Sequence, residues 1–198
     1  MKLVLLVVAL LAALAVLLGF VLARDGGEPD FRGSQPPEGL TMPEFDVELD
    51  DAAFLRSREL RGRAVAVTFL DTQCTEACPI AATQIGEALR LLGDERDRIV
   101  ALAFSVDPEH DTVRSIRSFL SRSRAYGLIR YVDAPVENLR PVWTEFQIQP
   151  SVDTGNSNLH SVPVRVYDTE GRWRSTLHPG VDLTAANLAH DLEAALNA

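Results

Sequence analysis

The chain is nearly without lysine and has very little cysteine. Lys2 is its only lysine, every other base is an arginine, and 19 basic residues stand against 28 acidic ones for a net charge of −9. So little positive charge leaves no basic footprint for a phosphate backbone, which argues against nucleic acid as a partner. The acidity reads instead as a solvated surface. Only two cysteines occur, Cys74 and Cys78. Neither lies just after the apolar N-terminal run, which excludes a lipid-modified N-terminal cysteine. Two are also too few for the four Cys or His ligands that structural zinc takes. No internal repeat is present, and the aromatic residues show no cage pattern.

The longest apolar stretch runs from Leu3 to Ala23 without a charge. As a helix it would be about 31 Å long, close to the thickness of a hydrocarbon core. With Lys2 and the amino terminus ahead of it, the positive-inside tendency places the rest of the chain outside the cytoplasm. The run exceeds the usual signal-peptide core, so an uncleaved anchor over residues 1–23 is the expectation. A cleaved signal peptide, with Val21 and Ala23 as the small residues of a cleavage site, is the competing reading. Residues 24–42, rich in Gly, Pro and charge, read as a flexible linker, and residues 43–198 as one domain.

Within that domain, Phe45–Leu49 alternates like an edge strand. The unbroken apolar run Ala64–Leu70 reads as a buried central strand. A helix over Pro79–Leu92 is expected, with Ala81, Ile85, Ala88, Leu89 and Leu92 on one face and Gly93 at its end. Ile99–Val106 reads as a second buried strand. Asp111-Thr112 reads as the cap of a helix that carries Val113, Ile116, Phe119 and Leu120. Leu128–Val132 (strand), Val136–Phe146 (helix), a polar loop over Gln147–Leu159, and a hairpin of Val162–Tyr167 with Trp173–Leu177 follow. A last helix from about Leu183 would bury Leu188, Leu192 and Leu196. Strands alternating with helices imply an α/β layered domain, with a central, mainly parallel mixed sheet flanked by helices. The element order is that of a thioredoxin-like fold.

Cys74 and Cys78 fall where the central strand turns into a helix. Sites in open α/β sheets gather at the carboxyl ends of strands, and a helix N-terminus favours thiolates. The pair can converge on one soft metal ion or form a disulfide. A permanent disulfide closing so short a loop would constrain the unfolded chain little. Two thiolates with one imidazole at low coordination number suit copper better than zinc.

Three segments carry a resemblance. Phe69 through Cys74-Thr75-Glu76-Ala77-Cys78-Pro79 resembles the copper-site motif of the SCO/SenC family of cytochrome oxidase assembly proteins. Ser105-Val106-Asp107-Pro108-Glu109-His110-Asp111-Thr112 is similar to that family's second signature, and His160-Ser161 ahead of a strand to its third. The match spans roughly Pro43 to Ala198, in the same order and spacing. It implies a thioredoxin-like fold and copper, as Cu(I), Cu(II) or both, held by Cys74, Cys78 and His160. It also implies delivery of that copper to the binuclear copper centre of cytochrome oxidase, with a role in reducing that centre's cysteines also attributed to the family. The partners it implies are the copper-bearing oxidase subunit, other copper chaperones and the membrane, on the periplasmic side. The chain departs from the family pattern at Thr75 and Val113, each where Pro is common, at Leu159, where Asp is common, and at Pro163, where an aliphatic residue is usual.

The remaining candidates read as structural. His110 starts a loop and faces solvent, His178 belongs to a turn beside Pro179-Gly180, and His190 lies off the apolar stripe of the last helix and is expected to be exposed. Asp107 and Asp111 can be read as acid–base carboxylates, with capping and loop-anchoring the simpler account of Asp111, and Asp71 as a group near the outer shell of a metal. Pro163 is either a strand-start proline or a cis proline, the first being preferred. Besides a copper chaperone, which is not an enzyme, two functions remain open. One is a thiol–disulfide oxidoreductase in which Cys74 attacks and Cys78 resolves, although its three intervening residues differ from the two of thioredoxin-type motifs. The other is a copper-responsive sensor.

Overall fold

Small residues on one side and large ones on the other explain how the central strand is covered. The computed structural model describes residues 10–11, 30–48 and 54–198. In chain order the elements are β1 (Asp46–Glu48), β2 (Phe54–Arg56), β3 (Ala64–Leu70), α1 (Ala77–Leu91), β4 (Ile99–Ser105) and α2 (Val113–Arg122). They continue with β5 (Arg130–Val132), α3 (Val136–Glu145), β6 (Val164–Tyr167), β7 (Trp173–Leu177) and α4 (Ala185–Leu196). The main sheet has the order β5-β4-β3-β6-β7. β3 pairs in parallel with β4, and β4 with β5, while β6 and β7 join antiparallel. The sheet is therefore mixed, with as many antiparallel as parallel pairings.

Every residue of β3 is buried. Ala64 and Ala66, with Ala101 and Ala103 of β4, face the side packed by α1, α2 and α4. Val65, Val67 and Phe69 face the opposite side, under α3 and the β1–β2 ribbon. Alanines let helix axes approach closely. The opposite layer is filled by rings: Phe69 lies 5.4 Å from Phe146 and 5.8 Å from Phe104, and Phe45 meets Phe104 edge-on at 5.2 Å. Such contacts are favoured beyond their area.

Several boundaries differ from expectation for local reasons. Helix α1 starts two residues before Pro79, because a proline in the first helical turn forfeits no intrahelical hydrogen bond. Cys78 thereby enters the first turn. Thr112, not Asp111, caps α2, its hydroxyl accepting from the Ser115 N–H at 3.1 Å. Val113, just inside that cap, is exposed, and Phe119 and Leu120 carry the burial. The Phe45–Leu49 segment yields β1, which among the described residues pairs with β2 and not with the main sheet. Pro163 is trans and precedes β6 by one residue.

The free edge of β7 is covered by residues 31–42, inside the stretch expected to be a flexible linker. Ser34 and Thr176 exchange both backbone hydrogen bonds at 2.9 Å, Trp173 donates to the Leu40 carbonyl, and Met42 donates to that of Gly171. The buried Asp191 carboxylate of α4 accepts from the N–H groups of Arg32 and Gly33 at 2.7 and 3.0 Å, and from the Ser175 hydroxyl. A Cβ at Gly33 would stand 2.7 Å from the Thr176 carbonyl oxygen, so this close approach needs glycine. Of the expected N-terminal anchor only Leu10 and Leu11 lie within the described residues. No helix among the described residues is long and apolar enough to cross a membrane.

Candidate metal centre

The site is built at the carboxyl end of β3. The Cys74 N–H donates to the Asp71 carbonyl at 3.2 Å, closing a tight turn that aims Sγ back toward the helix. From the first turn of α1, the Cys78 N–H reaches the Cys74 Sγ at 3.5 Å. Both cysteines are buried, and no disulfide joins them. The third side chain comes from 82 residues further on: His160 Nε2 lies 3.2 Å from Cys78 Sγ. Its Nδ1 lies 3.2 Å from the Ser161 carbonyl. That contact orients the ring so that Nε2 faces the thiols. One ligand atom from each of Cys74, Cys78 and His160 falls within 4.8 Å of the other two, an arrangement that could hold a metal ion.

Two buried carboxylates hold the loops that carry these groups. Asp71 accepts from the Gln73 N–H and the Ser151 hydroxyl, both at 2.7 Å, tying the cysteine turn to the loop that leads to His160. Asp111 accepts from the Thr72 N–H at 2.9 Å, from the Ser105 hydroxyl at 2.7 Å and from the Tyr131 hydroxyl at 2.6 Å. It joins β3, β4 and β5 beneath the site, the loop-anchoring role expected of it. A third tie is direct: Asn158 accepts from the Thr75 N–H at 2.9 Å and its amide reaches the Thr75 hydroxyl at 3.3 Å. Thr75, where the family pattern favours proline, thus keeps an N–H that this link uses. Nothing in the local pattern of Asn156–Leu159 marks Asn158, because its partner lies 83 residues away.

The environment splits the two thiols. Hydrogen bonding from the Cys78 thiol, then from His160 and from the N–H groups of Cys78 and Glu76, brings Cys74 down to about 4 against the opposing effect of burial. Burial first, and then the thiolate at Cys74, pushes Cys78 far up. Burial raises Asp71, partly offset by its bonds from Ser151 and Gln73. Burial, then the nearby Asp111, raises Tyr131 well above 10. One thiolate and one proton are thus shared between the cysteines, with the Nε2 of His160 beside them.

The other histidines stay out of the group. His110 is exposed and pairs with Asp107 at 2.8 Å, which raises its pKa. His178 is exposed at the end of β7, in the turn expected of it. His190 is half-buried rather than exposed, because α4 carries it against the Asp191 carboxylate at 3.3 Å.

The family model described as SCO1/SenC matches residues 34–197. None of the curated proteins matches the chain. Among solved structures, copper-bound ScoI of Bradyrhizobium japonicum is 23% identical with a TM-score of 0.65, covering 80% of this chain and 100% of that one. The solution structure of apo Sco1 from Thermus thermophilus is 21% identical with a TM-score of 0.69, over 86% of this chain and 100% of that one. BsSco, described with a disulfide switch and as a member of the Sco family of cytochrome c oxidase assembly proteins, is 16% identical at a TM-score of 0.65, over 81% and 96%. At these identities the likeness establishes the thioredoxin-like fold.

Proposed function

This chain belongs to the SCO1/SenC family, and from that membership we propose that it carries one copper ion on Cys74, Cys78 and His160 and delivers it to the binuclear copper centre of cytochrome c oxidase. The observation that supports this most is the convergence of two sulfurs and one imidazole nitrogen within 4.8 Å. Soft thiolates with one nitrogen suit copper, and three ligands leave a side open to an incoming thiolate of the recipient. Transfer is then ligand exchange: each bond to a donor sulfur is replaced by one to an acceptor sulfur, and the copper keeps its oxidation state. Copper in related structures, such as ScoI of Bradyrhizobium japonicum, lends the reading weight. An N-terminal helix over residues 1–23 would tether the domain to the cytoplasmic membrane on its periplasmic face, where such an oxidase subunit exposes its copper site.

Metal analysis of the full chain tests the ligand set. Wild type should hold one copper, and Cys74→Ala, Cys78→Ala and His160→Ala should each lose it; full occupancy in His160→Ala would remove the imidazole from the set. A thiolate-to-Cu(II) charge-transfer band places the sulfurs on the metal. Mixing the loaded chain with an apo oxidase subunit and following the copper tests delivery. A stable complex from which no copper moves would favour a sensor.

A second reading has its own support. The low value at Cys74 gives a thiolate at neutral pH next to a protonated thiol, the arrangement that thiol–disulfide exchange uses. Rapid turnover of a disulfide substrate by metal-free protein, undiminished in His160→Ala, would shift the assignment to an oxidoreductase.

A further inference from the structure

Beside the metal group opens a cleft of about 640 Å³ whose lining includes Ala77 and His160. The N-terminal strap lines it too, through Gln35, Pro36 and Pro37, as do Arg165 and Trp173. None of the described residues lining it is acidic, in a chain whose net charge is −9. Arg165 is the arginine in its lining. Some arginines find carboxylates, as Arg56 does with Asp46, Arg140 with Asp153 and Arg172 with Asp168. Arg165 has no carboxylate partner among the described residues, and its Nε is buried without an acceptor. It rests instead on rings, 4.5 Å over Trp173 and 5.8 Å over Phe146. A guanidinium with no carboxylate partner, beside the Tyr167 hydroxyl and lying against aromatic faces, is prepared for an incoming anion.

We propose that this cleft binds an extended acidic segment of the protein that exchanges copper with the site, with a carboxylate side chain of that segment paired to Arg165. The partner's identity as the copper exchanger rests on the function proposed above; the cleft's preference for a carboxylate does not. Charge complementarity selects the acidic side chain. The prolines on the strap and at Pro163 and Pro179 offer apolar walls to its neighbours, and the amides of Gln35 and Gln147 offer hydrogen bonds to its main chain. Docking here sets the segment against a lining that includes His160.

The test uses the full chain in detergent, free of metal, and an acetylated hexapeptide with two glutamates beside its glutamine twin. Emission from Trp173, assigned by its absence in Trp173→Phe, reports occupancy through the guanidinium lying on that ring. The glutamate peptide should bind saturably and weaken as salt rises. The glutamine twin should bind at least about tenfold more weakly, as loss of a charge-assisted hydrogen bond predicts. Arg165→Gln should lose the same factor while taking up copper as wild type does, and Arg165→Lys should retain part of the affinity. Equal binding of the two peptides would overturn the proposal, and that comparison needs no variant to fold. So would free glutarate binding as tightly as the peptide, which would make the cleft a small-acid site. Peptide binding in a chain that takes no copper would leave the cleft standing and remove the function proposed above; the reverse pattern would remove only the cleft.

Discussion

At Cys74 the negative charge is held chiefly by the thiol of Cys78, with help from His160 and two backbone N–H groups. A pH titration of ultraviolet thiolate absorbance in the metal-free chain should therefore show one thiol already ionised well below neutrality, with a midpoint of about 4, and the second silent up to alkaline pH. Cys78→Ala removes the largest of the holding interactions, so the Cys74 midpoint should move upward. An unchanged midpoint would mean that the helix turn alone stabilises the thiolate. Asn158 acts one step further out, through Thr75. Asn158→Ala should leave copper stoichiometry intact and lower affinity about tenfold, the scale on which groups that orient ligands act. At His110 the sign is opposite to that at Cys74. Its pKa is raised by Asp107, so the pair's contribution is complete below about pH 6.5 and fades as pH rises through the raised value. Following the ring by NMR should show its midpoint fall in Asp107→Asn. At this scale the cysteines were legible because thiols are rare and their spacing is local. His160 was singled out from four histidines by resemblance, since no spacing rule connects residues 82 apart. Asn158 carried no signal.

Two elements owe their positions to polar groups rather than to apolar periodicity. The strap is held by the Asp191 carboxylate and by a glycine that admits the Thr176 carbonyl. Gly33→Ala places a methyl group 2.7 Å from that oxygen, so the strap should lift while the sheet persists. Hydrogen exchange should then accelerate at Ser34 and Thr176 and stay slow in β3. Beneath the site, Asp111 gathers three donors from separate strands and turns. Asp111→Ala would leave the Thr72 N–H and the Ser105 hydroxyl without an acceptor, while the Tyr131 hydroxyl keeps the Leu70 carbonyl, and should cost about 2 kcal/mol or more in denaturant unfolding. Periodicity revealed β3, β4 and the apolar faces of α1 and α4, because each repeats within its own segment. It misread the strap, whose Gly- and Pro-rich composition resembles a linker and whose partner strand lies 142 residues away. The start of α1 was placed late because Pro79 marks a helix start without saying which turn position it holds.

Across the whole molecule, one sheet separates a helix-packed layer of small residues from an aromatic layer centred on Phe146. That ring touches Phe45, Phe69, Phe104 and Tyr167. Phe146→Ala should cost about 3–5 kcal/mol, a drop in Tm on the order of 10 °C for a domain of this size, with copper binding retained below the new midpoint. Equal stability would mean that the aromatic layer collapses around the void. The strap has a consequence at this scale too. For a chain tethered through residues 3–23, the stretch between that tether and the docked strap is not 24–42 but only 24–30. Its greatest span falls from about 65 Å to about 25 Å. A domain on so short a leash sweeps a volume more than about tenfold smaller, and meets acceptors embedded in the same bilayer at a correspondingly higher local concentration.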